Sequence, residues 1–202
     1  MKRYILYSIL LVFVCGIRSS FAQTREHRDH WYIPDFVVAQ YAGSIGFVSA
    51  GVGYDIFSKK GSLDFLLGVV PGFTGSTALE TFTFKFNAMP IRIRVNPDVA
   101  IHPLNTGVYF CYTFGKEYSS DLPGWYPDGY YWWSEAVRVN LFIGGDVRFV
   151  THAFRKPKKF TAYYEIGTNE IKLVSYIQNK HALNIWNILH AGVGVRYMFK
   201  HQ

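Results

Sequence analysis

The sequence predicts an all-β protein, an antiparallel transmembrane β-barrel of about eight strands that follows a cleaved signal peptide. Three observations carry that expectation. Segment after segment alternates apolar residues with polar or small ones at a period of two, the pattern of strands whose successive side chains point to opposite faces. Beyond the N-terminal region no stretch offers the roughly 20 consecutive apolar residues that a spanning helix needs. Yet the chain is 50% hydrophobic and 18% aromatic, a content that favours strands when long apolar runs are lacking. Finally, the chain opens Met1-Lys2-Arg3, runs apolar from Tyr4 to Ile17 and reaches Ser20-Phe21-Ala22 before Gln23. A basic start, an apolar core and small residues two apart describe a secretory signal cut after Ala22. Val14 stands before Cys15, where a lipoprotein signal would place a small residue. The expected organisation is a signal peptide over 1–22, a tail over 23–34, a barrel over 35–199 and a tail over 200–202.

The tail is polar and then aromatic. Its Glu26, His27, Asp29 and His30 are metal-ligating types, but a tail lacks the neighbouring groups that orient ligands around a metal. No metal and no other cofactor is expected. The first strand is predicted from about Asp35 to Ala42. After Gly43-Ser44, the segment Ile45–Phe57 places Val48, Ala50, Val52, Tyr54 and Ile56 opposite Ser49, Gly51, Gly53 and Asp55. Ser58-Lys59-Lys60-Gly61 reads as a tight turn. The return strand, Ser62–Val70, carries Asp64 among apolar neighbours.

Beyond the Gly- and Ser/Thr-rich loop Pro71–Thr77, Phe82, Phe84 and Phe86 alternate with Thr83, Lys85 and Asn87. The phase slips around Met89-Pro90, where a residue without an N–H predicts a bulge or a strand end. From there Ile91, Ile93 and Val95 oppose Arg92 and Arg94. Asn105–Gly115 alternates again, with Cys111 on the face of Tyr109 and Thr113. Lys116–Trp133 reads as a long aromatic loop suited to the water–hydrocarbon boundary, or alternatively to a sugar or lipid. Val137–Phe149 sets Arg138, Asn140, Asp146 and Arg148 against an apolar face. After the basic turn Ala153–Lys159, Phe160, Ala162, Tyr164 and Ile166 oppose Thr161, Tyr163, Glu165 and Gly167. A second long segment, Thr168–Asn187, leads to the last strand, Leu189–Phe199, whose odd positions are all apolar and whose even positions include His190 and Arg196.

Periodicity alone does not separate a membrane barrel from a soluble one that binds an apolar ligand. The recurrence of Phe, Tyr, Leu and Val on one face is more bulk than an eight-stranded interior holds, so that face is expected to meet lipid. With both termini in the periplasm, the turns near Lys59, Asn96 and Pro157 are periplasmic. The connections near Gly43, Gly75, Pro123 and Lys180 are then external, and the longest connections fall outside, as in bacterial barrels. The segment Arg92–Pro103 is long for a periplasmic turn, and the connection at Gly43 is short for an external one.

The formal charge is +7; taking away Lys2, Arg3 and Arg18 with the signal leaves +4. No motif for nucleic acid accompanies this mild excess, and no nucleic-acid partner is expected. The expected partners are outer-membrane lipid, lipopolysaccharide and, during biogenesis, the barrel-assembly machinery. Cys111 alone survives processing, which excludes an intramolecular disulfide.

The predicted interior set is Asp55, Asp64, Lys85, Asn87, Arg138, Asn140, Asp146, Arg148, Glu165, His190 and Arg196. It carries both signs of charge, and buried charges need partners. A salt-bridged interior is therefore expected in place of a water channel. An enzyme of this build would act at the outer rim on lipid A, with a serine and a histidine. Residues of the types needed for a nucleophile, a base and an orienting group near the external end are Ser175, His181, Glu170 and Ser134. Neither a His-x-Ser pair of the deacylase kind nor an Asp-Ser pair of the palmitoyltransferase kind occurs. The expectation is a non-enzymatic outer-membrane barrel that is structural or works through its external loops, with a lipid A-modifying enzyme as the alternative.

Several stretches resemble an uncharacterised family of small outer-membrane β-barrel proteins from Bacteroidetes. They are His30-Trp31-Tyr32-Ile33-Pro34-Asp35, Tyr126-Pro127-Asp128-Gly129-Tyr130-Tyr131-Trp132-Trp133 and Tyr163-Tyr164-Glu165-Ile166-Gly167-Thr168-Asn169, joined by Leu173-Val174-Ser175-Tyr176-Ile177-Gln178-Asn179 and Gly194-Val195-Arg196-Tyr197-Met198-Phe199. The resemblance spans most of the mature chain. It implies the fold and the outer membrane of a Gram-negative bacterium, and it implies no activity and no site residue. The Lys200-His201-Gln202 tail departs from a chain that ends on its aromatic residue.

Overall fold

Alternation becomes nine strands in the computed structural model, which describes residues 32–72, 78–115, 136–153, 157–180 and 184–199. The chain divides into Met1–Ile33 and Pro34–Gln202, and every described strand lies in the second unit. In order these are β1 (Phe36–Ala42), β2 (Val48–Ile56), β3 (Gly61–Val70), β4 (Leu79–Ala88), β5 (Ile93–Asn96), β6 (Val99–Phe114), β7 (Val137–Thr151), β8 (Lys158–Asn169) and β9 (His190–Met198). Eight of them close into an antiparallel barrel. β1 pairs with β9 from Phe36↔Met198 to Ala42↔Gly192, and β4 meets β6 from Glu80↔Phe114 to Ala88↔Thr106. Closure leaves no free edge in the wall.

Phe36 and Met198 mark the end where the wall begins and finishes, here termed the termini end. β1, β3, β6 and β8 finish at the opposite end, the connection end. Side chains separate by face along every wall strand. Asp64 and Lys85 are 0% exposed, whereas Leu67, Leu141, Ile143 and Val193 are 52–56% exposed. The interior holds most of the buried charges together with an apolar cluster of Phe36, Val38, Ile45, Leu66, Tyr109, Cys111, Phe142 and Tyr163, and the outer face keeps many large apolar side chains that folding would ordinarily take out of water.

Four predicted segments are corrected. The segment Arg92–Pro103 is not a long turn. β4 ends at Ala88, before Met89-Pro90, and β5 then runs as a short ribbon against the start of β6, with Ile93 opposite Ile101. β6 begins at Val99 and not at Asn105, because Pro103 sits in a bulge. The register steps from His102↔Asp146 to Asn105↔Gly144, so Pro103 and Leu104 stand across from Gly145 and the missing N–H interrupts no ladder bond.

The segment Thr168–Asn187 contains a helix, α1 (Glu170–Gln178), whose N-cap Asn169 accepts a hydrogen bond from the Lys172 amide. Capping satisfies an amide that has no partner inside the helix. A single 3-10 turn, Ile185–Asn187, follows. Finally, Ile45 belongs to no strand. β2 starts at Val48, and Ile45, 0% exposed, is folded inward by the connection from β1. The predicted signal peptide, residues 23–31 of the N-terminal tail, the long aromatic loop and the tail after Phe199 lie outside the described residues.

Candidate functional site

The barrel interior gathers the titratable side chains, and each arrives there by the two-residue period of its strand. At the connection end the centre is Lys85, placed on β4 between outward-facing Phe84 and Phe86. Its ammonium pairs with the Glu165 carboxylate of β8 and donates to Gln40 Oε1 at 3.2 Å. Gln40 Nε2 donates to Glu165 Oε1 at 2.5 Å, and the Tyr163 hydroxyl donates to Gln40 Oε1 at 2.8 Å. Lys85 Nζ also lies 4.6 Å from the Phe142 ring centroid and 5.3 Å from that of Tyr163, within the reach of cation–π attraction. Four strands are thereby tied together across the lumen.

The first connection closes over this cluster. The Tyr109 hydroxyl donates to the Gly43 carbonyl at 2.5 Å, and Thr81 Oγ1 donates to the Ile45 carbonyl at 2.6 Å. Gly43 has φ +83°, and a Cβ there would stand 2.5 Å from Gln40 Nε2 and 2.9 Å from Glu165 Oε1. Both the left-handed backbone and the crowding demand glycine. His190 Nε2 is 2.8 Å from the Tyr109 oxygen. The single phenolic proton is committed to Gly43, so Nε2 is the donor in that contact.

A second tier holds Asp64 and Arg196. Arg196 Nη2 donates to Asp64 Oδ2 at 2.9 Å, and Ser62 and Asn87 also donate to that carboxylate, at 2.8 and 3.2 Å. The guanidinium stacks between Phe36 and Tyr163, 5.1 and 4.9 Å from their centroids. Tyr163 fits because β9 carries Gly194 beside it, where a Cβ would meet the ring at 2.4 Å. A third group joins His102 Nδ1 to Asp146 Oδ1 at 2.7 Å and Asn105 Nδ2 to Asp146 Oδ2 at 2.7 Å. Arg148 Nε stands 3.9 Å from Asp146, and Arg148 Nη2 donates to Met89 Sδ at 3.2 Å.

The predicted interior residues therefore fall in different surroundings. Asp64, Lys85, Asn87, Asn140, Asp146, Glu165 and Arg196 are buried, and His190 is half-buried. Arg138 sits at the connection end, 27% exposed and 3.8 Å from Glu170. Asp55 and Arg148 border the termini-end mouth. Residues absent from the predicted set are also here: Gln40, His102, Asn105 and the hydroxyls of Tyr109 and Tyr163. Gln40 was masked by Phe36 and Val38 on the same face of β1, and His102 by Pro103, which stopped the strand too early.

Of the candidate catalytic residues, Glu170 and Ser175 are among the described residues, both on α1. Glu170 Oε2 accepts from the Val139 amide at 3.0 Å, which fastens α1 to β7. Ser175 lies on α1, and its backbone carbonyl accepts from Asn179. Ser134 and His181 lie outside the described residues. Among the described residues no group of three or more His, Cys, Asp or Glu is placed to hold a metal, and Cys111 is free and buried.

Chemically, the interior is a set of compensated charges that braces the wall. Charged groups inside low-dielectric surroundings persist when paired and hydrogen-bonded. No family model, no curated protein and no solved structure matches the chain.

Proposed function

We propose that this chain is a small, non-enzymatic outer-membrane β-barrel protein of a Gram-negative bacterium, with a structural role or a surface role exercised through its external connections. The observation that carries the reading is the placement of the charges, in which ion pairs share the lumen with a small apolar cluster while large apolar side chains cover the outside of the wall. An apolar surface of that extent suits lipid, since water-soluble monomers rarely expose large contiguous apolar patches. Seven of the eight wall strands have nine or more residues, the length a tilted strand needs to cross a bilayer, about 9–11.

Aromatic groups near both ends of the wall support the same reading. Phe149, Phe160, Tyr197 and Phe199 form a chain of ring contacts of 5.2–5.8 Å at the termini end. Tyr41–Phe47 and Tyr112–Phe114, each 5.0 Å apart, lie toward the connection end. Outer-membrane barrels carry such girdles at their interfaces. Ile171, Val174 and Ile177 of α1 and the 75% exposed Trp186 suit the headgroup boundary. Under this reading the partners are outer-membrane lipid, lipopolysaccharide and the barrel-assembly machinery.

Fractionation tests the proposal. The protein stays with outer membranes through carbonate and high-salt washing, and unheated samples migrate faster than boiled ones in a detergent gel. Release by carbonate or salt overturns the membrane reading. Lipid A mass spectra of a deletion strain address the non-enzymatic half, which an altered acyl pattern would overturn.

A further inference from the structure

At the termini end the barrel opens into a vestibule of about 650 Å³. The ribbon of β5 and β6 forms one wall and the turn after β2 another. Five cationic side chains line it, namely Lys59, Arg92, Arg94, Arg148 and Lys159. The lining carboxylates are Asp35, Asp55 and Asp98, which leaves the cations in excess by two. Asp35 Oδ2 accepts from the Asp55 amide at 2.9 Å, and Asp98 Oδ1 faces His152 Nε2 at 3.3 Å.

Arg148 is the innermost cation, with its side chain 16% exposed. Its Nε is buried without an acceptor, and its two contacts are a thioether and a carboxylate 3.9 Å away. The Asp55 carboxylate acts on it as well, but none of these groups offers the two-pronged acceptor that a guanidinium ordinarily grips through two parallel N–H donors. The turn beside it is held in an uncommon backbone. Phe57, Ser58 and Lys59 have φ of +50°, +53° and +67°, three consecutive non-glycine residues in the left-handed region, which their side chains disfavour. This conformation leaves Phe57 outside, 71% exposed, while Ser58 and Lys59 line the vestibule. Burial lowers the Lys59 pKa from its ordinary value; Asp55 opposes this, and Lys159, Arg148 and Arg92 add to the lowering. Congested cations of this kind are relieved by an anion.

We propose that this vestibule binds a multivalent phosphate oxyanion, either a soluble phosphate or the headgroup of a phospholipid, between Arg148 on its floor and Arg92 and Arg94 at its rim. The hydroxyl of Ser58 supplies a neutral donor beside the cations. The site belongs to the barrel end and does not depend on where the wall is embedded.

The test uses the folded full chain in an uncharged maltoside detergent and isothermal titration with two probes, inorganic pyrophosphate and dihexanoyl phosphatidic acid. The expected result is saturable one-to-one binding of at least one probe, weakened about tenfold or more by Arg148→Gln and by the double change Arg92→Gln/Arg94→Gln, and weakened further as salt rises. Binding of pyrophosphate identifies a soluble phosphate as sufficient; binding of phosphatidic acid alone identifies the headgroup source. Lys180→Gln, at the connection end, leaves affinity unchanged. The exposed pair keeps the test decisive if Arg148→Gln fails to fold. Absence of saturable binding by both probes, or equal affinity in the arginine variants that retain heat-modifiable mobility, overturns the proposal.

Discussion

Lys85→Met removes the cation on which the connection-end cluster is built while keeping most of the side-chain volume. Lys85 is 0% exposed and Glu165 2%, so the carboxylate left behind cannot recover hydration. It retains only the Gln40 amide as a hydrogen-bond donor among the contacts described above. Two unit charges about 4 Å apart attract by about 4 kcal/mol at an effective dielectric constant near 20. Loss of one member of a buried pair costs about 3–5 kcal/mol. The ring contacts with Phe142 and Tyr163 disappear as well, so the upper half of that range is expected. Glu165→Gln strands the ammonium in the same way, although Gln40 Oε1 still accepts from it.

The double variant Lys85→Met/Glu165→Gln removes both charges together and should recover much of the loss, giving a coupling energy of about 2–3 kcal/mol in a double-mutant cycle. The assay is urea unfolding of the chain folded into neutral lipid vesicles, followed by the fraction that keeps heat-modifiable mobility. Single variants as stable as the parent chain, or strictly additive losses in the double variant, would refute the claim that this ion pair braces the lumen.

Arginine in place of Val193 or Val195, both outward on β9 and 54 and 47% exposed, should cost about 2–4 kcal/mol near the bilayer midplane and block assembly in cells, whereas Met198→Gln should be tolerated. Near-normal barrel yields for all three would mean the two faces are reversed. Gly194→Leu drives a side chain into the Tyr163 ring and should destabilise by about 1–3 kcal/mol through overpacking, read as a lowered urea midpoint. Tyr109→Phe leaves the Gly43 carbonyl without its donor. The expected cost is about 1–3 kcal/mol, with faster proteolysis in the connection Ala42–Phe47; an unchanged cleavage rate would show that the hydroxyl does not hold that connection down.

Which faces turn inward was legible wherever a strand alternates cleanly. Lys85 between Phe84 and Phe86 and Arg196 between Val195 and Tyr197 need no more than a period of two to be placed. The alternation of Ile93 and Val95 with Arg94 was legible, but not that β5 pairs with β6 alone, outside the barrel wall, with all four of its residues exposed. α1 left a readable trace in the Asn169 cap and in Ile171, Val174 and Ile177 at helical spacing, but a nine-residue helix between strands competes with the alternation on either side.

Pairing inside the lumen is a different kind of information. Gln40 reaches Glu165 across 125 residues and Arg196 reaches Asp64 across 132. Those partners are chosen by how far each strand is staggered against its neighbours, since closing a barrel links stagger, tilt and strand number. The stagger depends on local irregularities, above all the bulge at Pro103, which advances β6 against β7 and brings Asn105 and His102 to the same carboxylate. A period-two pattern is unchanged by such a step and gives the inward residues without their partners. The charge balance of the interior could therefore be anticipated from composition, while the ion pairs that realise it required the closed sheet. The vestibule has the same origin: its five cations come from four separate segments, and only the ribbon after Pro90 brings Arg92 and Arg94 to the mouth that Arg148 faces from within.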